Sequence, residues 1–235
     1  MKPDWKELLF PRAVDCLICG DPRQAEGKYC LCPRCRERLL SLRLRENVCP
    51  RCMGPLDGKG QCRFCRSESL RPMRAGYGAF RYAAEAKALV ERLKYGFEDE
   101  AADALAAVMA QCFPAAEYDA LVPVPLHRTR QRGRGANQAA LLCDRVGPRA
   151  GLPVLDALHR VRNTRTQIHL NPAERQRNVR RAFAATMNVQ GLRLLLVDDV
   201  RTTGATARAC AEALLSAGAR EVGILTATIA SEGKR

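Results

Sequence analysis

Residues 194 to 206 read LLLVDDVRTTGAT. Four apolar residues run into two adjacent carboxylates, Asp198 and Asp199, and a short segment of small and hydroxyl residues follows. These types in this order suit a phosphorylated sugar. Thr202, Thr203, Gly204, Ala205 and Thr206 lie between an expected strand and an expected helix. The start of a helix offers free N–H groups and the positive end of its dipole to an anion. Threonine hydroxyls add donors, and a glycine lets the backbone approach closely. One step upstream, Asp198 and Asp199 are placed to accept hydrogen bonds from sugar hydroxyls and to help hold a hydrated Mg²⁺. A sugar phosphate satisfies both halves. The chain has no G-x-x-x-x-G-K-[ST], so this is not a Walker-type triphosphatase, and RGRGAN at 132–137 lacks the full G-x-G-x-x-G of a dinucleotide site.

A second kind of chemistry sits near the N-terminus. Nine of the twelve cysteines fall between Cys16 and Cys65. Eight form four CxxC pairs: Cys16/Cys19, Cys32/Cys35, Cys49/Cys52 and Cys62/Cys65. Two thiolates of one tight turn reach a single metal, and two such turns complete a tetrahedral zinc site. The spacing therefore predicts about two structural zinc ions. Serial pairing joins Cys16, Cys19, Cys32 and Cys35, then Cys49, Cys52, Cys62 and Cys65; it closes shorter loops than a cross-braced arrangement, which stays open. Cys30 adjoins the second knuckle and can stand in for Cys32. Cys112, Cys143 and Cys210 lie on apolar helical stretches and read as small buried hydrophobes.

The elements that must position these residues follow from pattern. LRLLLVDDV (192–200) reads as a buried strand, TARACAEALLSAG (206–218) as an amphipathic helix and EVGILTATIA (221–230) as a further strand. YDALVPVPL (118–126) is another strand, ANQAALLCDRVGPRAG (136–151) a helix, and the stretch from 83 to 113 is helical with a break near Gly96. Strands alternating with helices predict an α/β domain with a largely parallel sheet, whose ligands bind at the carboxyl ends of the strands. The cysteine module occupies 1–70, RSESLRPMRAGYG (66–78) with its Ser, Pro, Gly and charge reads as a linker centred on 71–78, and 79–235 forms the α/β domain.

The chain has 235 residues, and hydrophobic types make up 47%, enough for one sizeable domain and a small module. A formal net charge of +14, from 39 Lys and Arg against 25 Asp and Glu, favours polyanionic partners. No segment reaches the roughly 18–20 apolar residues of a membrane span. The opening MKPDWKELLFPRAV has no signal-peptide core, because Pro11 and Arg12 break its apolar run. A cytoplasmic location is expected, where thiols stay reduced and disulfides do not explain the cysteines.

Taken in order, the four CxxC pairs, LKYGFE, VPVPLHRTRQRGRGANQ, RVRNTRTQIHLNPAERQRNVRRAF and VDDVRTTGAT resemble the competence protein F family (ComF/GntX-like). That family joins a double zinc ribbon to a type I phosphoribosyltransferase domain, and the resemblance covers nearly the whole chain. Ala136 departs from it, since the family usually has Phe there. The resemblance implies that Asp198 and Asp199 bind the ribose hydroxyls of phosphoribosyl pyrophosphate (PRPP), and that Thr202 to Thr206 cradle its 5-phosphate. It implies that Arg128, Arg134, Asn137 and Gln138 meet the pyrophosphate, with His127 nearby. Arg162, Thr164 and Gln167, then Arg175 and Asn178, fall where a mobile loop covers the site. Asp198, Asp199, Arg162 and Gln167 would serve catalysis, with Mg²⁺ accompanying PRPP.

Three functional readings are open. The family implies handling of single-stranded DNA in natural transformation, with PRPP bound or sensed. The charge suits DNA, although aromatics at 5% leave few stacking platforms. The second reading is an active phosphoribosyltransferase on a base or amine, displacing pyrophosphate at the anomeric carbon. The third is a zinc-ribbon scaffold that docks a helicase or another DNA-uptake protein.

Overall fold

The apolar run before the acidic pair forms the central strand of the molecule. The computed structural model describes residues 15–21, 29–66, 70–95, 99–126, 137–161 and 182–230. In chain order the elements are α1 (Pro33–Ser41), α2 (Arg63–Arg66), β1 (Gly76–Arg81), α3 (Ala84–Tyr95), α4 (Asp99–Met109), β2 (Ala120–Pro123), α5 (Gln138–Ala150), β3 (Leu158–Arg160), β4 (Phe183–Ala185), β5 (Arg193–Arg201), α6 (Ala205–Ser216) and β6 (Glu221–Ile229). Four strands build one parallel sheet in the order β1-β6-β5-β2, while β3 and β4 form a separate antiparallel pair. Leu194, Leu195, Leu196 and Val197 are all fully buried. A strand covered on both faces reads as an unbroken apolar run, the pattern of a parallel sheet. The fold is the expected α/β class, a parallel sheet flanked by helices with a Cys-rich module before it.

Helix α6 returns the chain from β5 to β6. Its inner face is Ala207, Cys210, Ala211 and Leu214, all buried and spaced three or four apart. Helix α5 is capped at its start by the side chain of Asn137, which accepts from the Ala139 N–H, and it ends at Gly151 in the left-handed region (φ 68°). Cys143 and Cys210 are fully buried and Cys112 half-buried, in keeping with small hydrophobes.

Residues 76–78, read from the sequence as the end of a linker, lie in β1 and pair with β6. Their glycines serve close packing rather than a turn. A side chain at Gly76 would run into Arg201 Nη1, and one at Gly78 would sit 2.5 Å from Ile229 Cδ1.

The cysteine module extends the sheet at the free edge of β1. Leu44 N–H donates to the Ala79 carbonyl (3.0 Å), Arg81 N–H to that of Leu42 (2.9 Å) and Gly76 N–H to that of Arg51 (2.9 Å). Its two halves then join different sides of the sheet. Cys16, Cys32, Cys35 and Leu39 share a core with Leu89, Leu105, Leu195 and Val197. Cys49, Cys52, Phe64 and Met73 share the other core with Leu194, Leu196, Ile224 and Ile229. The alternation along β5 places Leu195 and Val197 on one face and Leu194 and Leu196 on the other, so each cysteine group braces one face. Among the described residues, no helix is long and apolar enough to cross a membrane.

Candidate functional site

The acidic pair stands at the carboxyl end of β5, between β2 and β6. Backbone bonds hold it there. Thr228 Oγ1 donates to the Asp199 carbonyl (3.1 Å), and Asp198 lies opposite Thr226 of β6. Asp198 Oδ1 accepts from the Asp199 N–H (2.9 Å), and Asp199 Oδ1 from the Val200 N–H (2.7 Å). Lys94, near the end of α3, reaches across with Nζ 3.0 Å from Asp199 Oδ2. Desolvation pushes the Asp198 carboxyl well above the ordinary carboxylate range. The neighbouring charge of Asp199 acts in the same direction, while the Asp199 N–H and Lys94 act against both. Two carboxylates packed side by side, one of them paired with a lysine, are a setting that suits a cation or several hydroxyl donors.

The next residues, expected from the sequence to hold an anion, form the turn into a helix N-terminus. Gly204 adopts the left-handed conformation (φ 78°) that a side chain would strain, and it turns the chain into α6 at Ala205. Ala205 N–H points to Thr203 Oγ1 (3.4 Å), and Thr202 and Thr203 are exposed. Residues 202–206 line a small recess together with Asp198 and Thr226. That recess opens beside a cavity of about 350 Å³ bounded by Tyr82, Lys94, Asn137, Gln138, Arg160, Asp198, Asp199, Thr202 and Thr206. A larger cavity of about 800 Å³ adjoins it, sharing Leu126, Asn137 and Arg160 and adding Asp144, Asp156 and His159.

Asp198, Asp199, Thr202, Thr206, Asn137 and Gln138 therefore meet at one cavity. Asn137 has a structural duty as well, since its Nδ2 donates to the Val124 carbonyl (3.2 Å). Arg128, Arg134, Arg162 and Gln167, with His127, Thr164, Arg175 and Asn178, lie outside the described residues. Lys94 and Tyr82 carry no site role in the sequence reading and Arg160 is expected only at the start of an arginine-rich segment that could meet DNA, yet all three line the cavity. Lys94 is marked by its place in LKYGFE and Arg160 by opening RVRNTRTQ, whereas no local pattern marks Tyr82.

The cysteines gather in two groups of four: Cys16, Cys19, Cys32 and Cys35, then Cys49, Cys52, Cys62 and Cys65. Within each group the sulfurs all lie within 4.8 Å of one another. This is the serial arrangement, and Cys30 is buried outside both groups. Sulfur separations of 3.8 Å (Cys19–Cys32), 3.6 Å (Cys49–Cys65) and 3.4 Å (Cys52–Cys62) compare with about 3.8 Å across a tetrahedron of ~2.3 Å Zn–S bonds. Backbone N–H groups of Cys32 and Gly54 point at Cys16 and Cys52 sulfurs, each at 3.4 Å. Burial works against ionisation of Cys16, yet the N–H groups around it bring its thiol down to about 6. Four thiolates on two knuckles per site fit zinc.

Known proteins match this arrangement. A double zinc ribbon domain matches residues 5–66. The DNA utilization protein YhgH of Salmonella typhi is 33% identical over 216 residues, covering 88% of this chain and 93% of that protein. Competence protein F of Haemophilus influenzae is 36% identical over 108 residues, 44% of this chain and 47% of that one. Among solved structures, the glutamine PRPP amidotransferase of B. subtilis aligns with a TM-score of 0.41 and 23% identity, over 59% of this chain and 30% of that enzyme. With a relative matched almost end to end, a double zinc ribbon over residues 5–66 and two four-cysteine sites ahead of a parallel-sheet α/β unit, the chain belongs to the competence protein F (ComF/GntX-like) family.

Proposed function

We propose that the chain binds PRPP with Mg²⁺ in the cavity at the end of β5 and serves the handling of single-stranded DNA during uptake. The observation that carries the first half is the shared wall of that cavity: Asp198 and Asp199 stand beside the N-terminus of α6 and its threonines. Asp198 and Asp199 accept from the ribose hydroxyls. The N–H groups and hydroxyls of residues 202–206 take the 5-phosphate. Lys94 and Arg160, with Arg128 and Arg134, supply the positive charge that a pyrophosphate needs. Bound Mg²⁺ supplies further neutralisation of the phosphates. We take 1–70 as the zinc-ribbon unit, 71–75 as the junction and the chain from β1 onward, 76–235, as the PRPP-binding unit, in the cytoplasm.

The DNA half is supported by the names of the relatives, a DNA utilization protein and a competence protein, and by the +14 charge. Exposed Arg34, Arg36, Arg38, Arg45, Arg51 and Arg66 on the ribbon unit give phosphates a surface to meet. A DNA-uptake helicase or similar protein is a further partner for that surface. The second reading, pentosyl transfer to a base or amine, is favoured by the larger adjoining cavity, which leaves room for an acceptor. In that case Asp198 and Asp199 would sit near the cationic sugar while arginines hold the leaving pyrophosphate. Calorimetric titration of PRPP with Mg²⁺ into wild type and the Asp198→Ala, Asp199→Ala double variant tests the site. Each lost hydrogen bond to a charged group should cost about 1.5–3 kcal/mol, and equal affinity in both proteins would sink the reading. Pyrophosphate release across a panel of bases decides between binding and turnover.

A further inference from the structure

Arg201 is the last residue of β5, one step before the threonine loop. Its backbone stays in the sheet, where its carbonyl accepts from the Ala230 N–H (2.9 Å). Its side chain leaves the α/β unit altogether and enters the second cysteine group. It is 4% exposed. Nη2 donates to the Cys52 carbonyl, and the guanidinium lies over the Phe64 ring, 5.4 Å from its centre. Gly76 makes the passage possible, since a side chain there would collide with Nη1.

A guanidinium does not lose its proton in a protein, and a buried charge needs an opposite charge nearby. Among the described residues no carboxylate pairs with Arg201, and its Nε and Nη1 have no hydrogen-bond partner. The anions that act on it are the thiolates of Cys52, Cys62 and Cys65. Four thiolates around one Zn²⁺ carry a formal charge of about −2, held here in a largely buried setting. Each side answers the other's need.

We propose that Arg201 is the counter-charge of the Cys49–Cys52–Cys62–Cys65 zinc site and ties that site to the phosphate loop. Two consequences follow. The second zinc depends on Arg201, while the first does not. Metal occupancy of the second site also biases the geometry of residues 202–204, so zinc loading and PRPP affinity are linked, and the linkage is reciprocal. This second consequence rests on the PRPP reading above; the first stands without it.

The test uses the full chain with Arg201→Gln, which keeps a donor but loses the charge, and Arg201→Lys, which keeps the charge but loses the planar fork. Zinc release is followed against a chromophoric chelator of graded concentration, with circular dichroism as the folding control. Arg201→Gln should hold one of its two zinc ions at least about tenfold more weakly, the range seen when groups around a metal's ligands are removed. The other zinc should behave as in wild type, and Arg201→Lys should fall between. A glutamine variant that holds both zincs as wild type does, or holds them better than the lysine variant, overturns the proposal. If the glutamine variant does not fold, the lysine variant must fold and bind two zincs. Its failure would show that shape and not charge is at work, and would equally overturn the idea. For the linkage, PRPP titration should show weaker binding in Arg201→Gln and in Cys65→Ser. Wild type that binds no PRPP refutes the PRPP reading and leaves the zinc result standing. Wild type and Arg201→Gln binding PRPP equally refutes the linkage.

Discussion

Replacing Lys94 by Met removes the cation that, among the described residues, pairs with the acidic pair, and the outcome depends on pH. Nζ lies 3.0 Å from Asp199 Oδ2, with the two side chains only 19% and 15% exposed. At an effective dielectric of about 20, the Coulomb attraction at that distance is roughly 5 kcal/mol. Desolvation of both groups offsets a large part of it, so a net loss of about 1–3 kcal/mol is expected for the variant near neutral pH. The sign is fixed by Asp198. Its folded pKa already lies above the unfolded value through burial and the charge of Asp199, and Lys94 partly opposes that rise. Losing Lys94 lifts it further. A raised carboxylate pKa means that ionisation destabilises the fold, so the variant should suffer most above the elevated Asp198 pKa. As pH falls through that pKa and Asp198 takes up a proton, the cost should shrink. Urea denaturation of wild type and Lys94→Met at neutral and mildly acidic pH measures both quantities. A variant as stable as wild type at neutral pH, or one whose deficit does not shrink in acid, would refute the reasoning.

Purified protein should contain about two zinc ions per chain, and Cys49→Ser should lose one; metal analysis reads the count. Chelation should disturb near-ultraviolet circular dichroism from both faces of the sheet, because each cysteine group belongs to a core that continues beneath the helices. Binding of PRPP with Mg²⁺ should release protons and strengthen as pH rises through the elevated Asp198 pKa, which titration in buffers of different ionisation heat detects. Single-stranded DNA should bind with little sequence preference and a log–log salt slope of about −0.7 per phosphate neutralised. Charge reversal at Arg175, Arg177, Arg180 and Arg181 should weaken it, whereas salt-independent affinity would exclude a phosphate-driven contact.

The elements that carry the site were legible because each has a strong local signature. An unbroken apolar run can hardly be anything but a buried strand once a helix and another such run follow it, and β5, α6 and β6 lie within a residue or two of their expected bounds. The serial cysteine groups followed from loop length alone. Lys94 and Arg160 were harder. They lie on α3 and β3, far from Asp199 in sequence, and only the folding of α3 across the sheet brings Lys94 to the acidic pair. Residues 76–78 were misjudged for a related reason. Glycine, the usual sign of a turn, is demanded in β1 by side chains that arrive from elsewhere in the chain: Arg201 at Gly76 and Ile229 at Gly78. Such requirements belong to packing partners and leave no mark on neighbouring residues.

The same partners change how the N-terminal unit is understood. Small metal-stapled ribbons are commonly thought of as separable, since their own core is slight and metal supplies the folding energy. Here the first cysteine group shares a core with Leu89 and Leu105 of α3 and α4, and the second with Leu194 and Ile224 of the central strands. Backbone bonds to Ala79, Arg81 and Gly76 continue the sheet into the ribbon. A unit joined in this way adds rigidity at the strand ends, where, on the proposed reading, a loop holds several N–H groups in register for a phosphate. Rigidity in that loop reduces the ordering that binding must otherwise impose. The ribbons thus have a physical reason to accompany this α/β unit even before any contact with DNA is considered: they brace the frame from which Asp198, Asp199 and the threonine loop project.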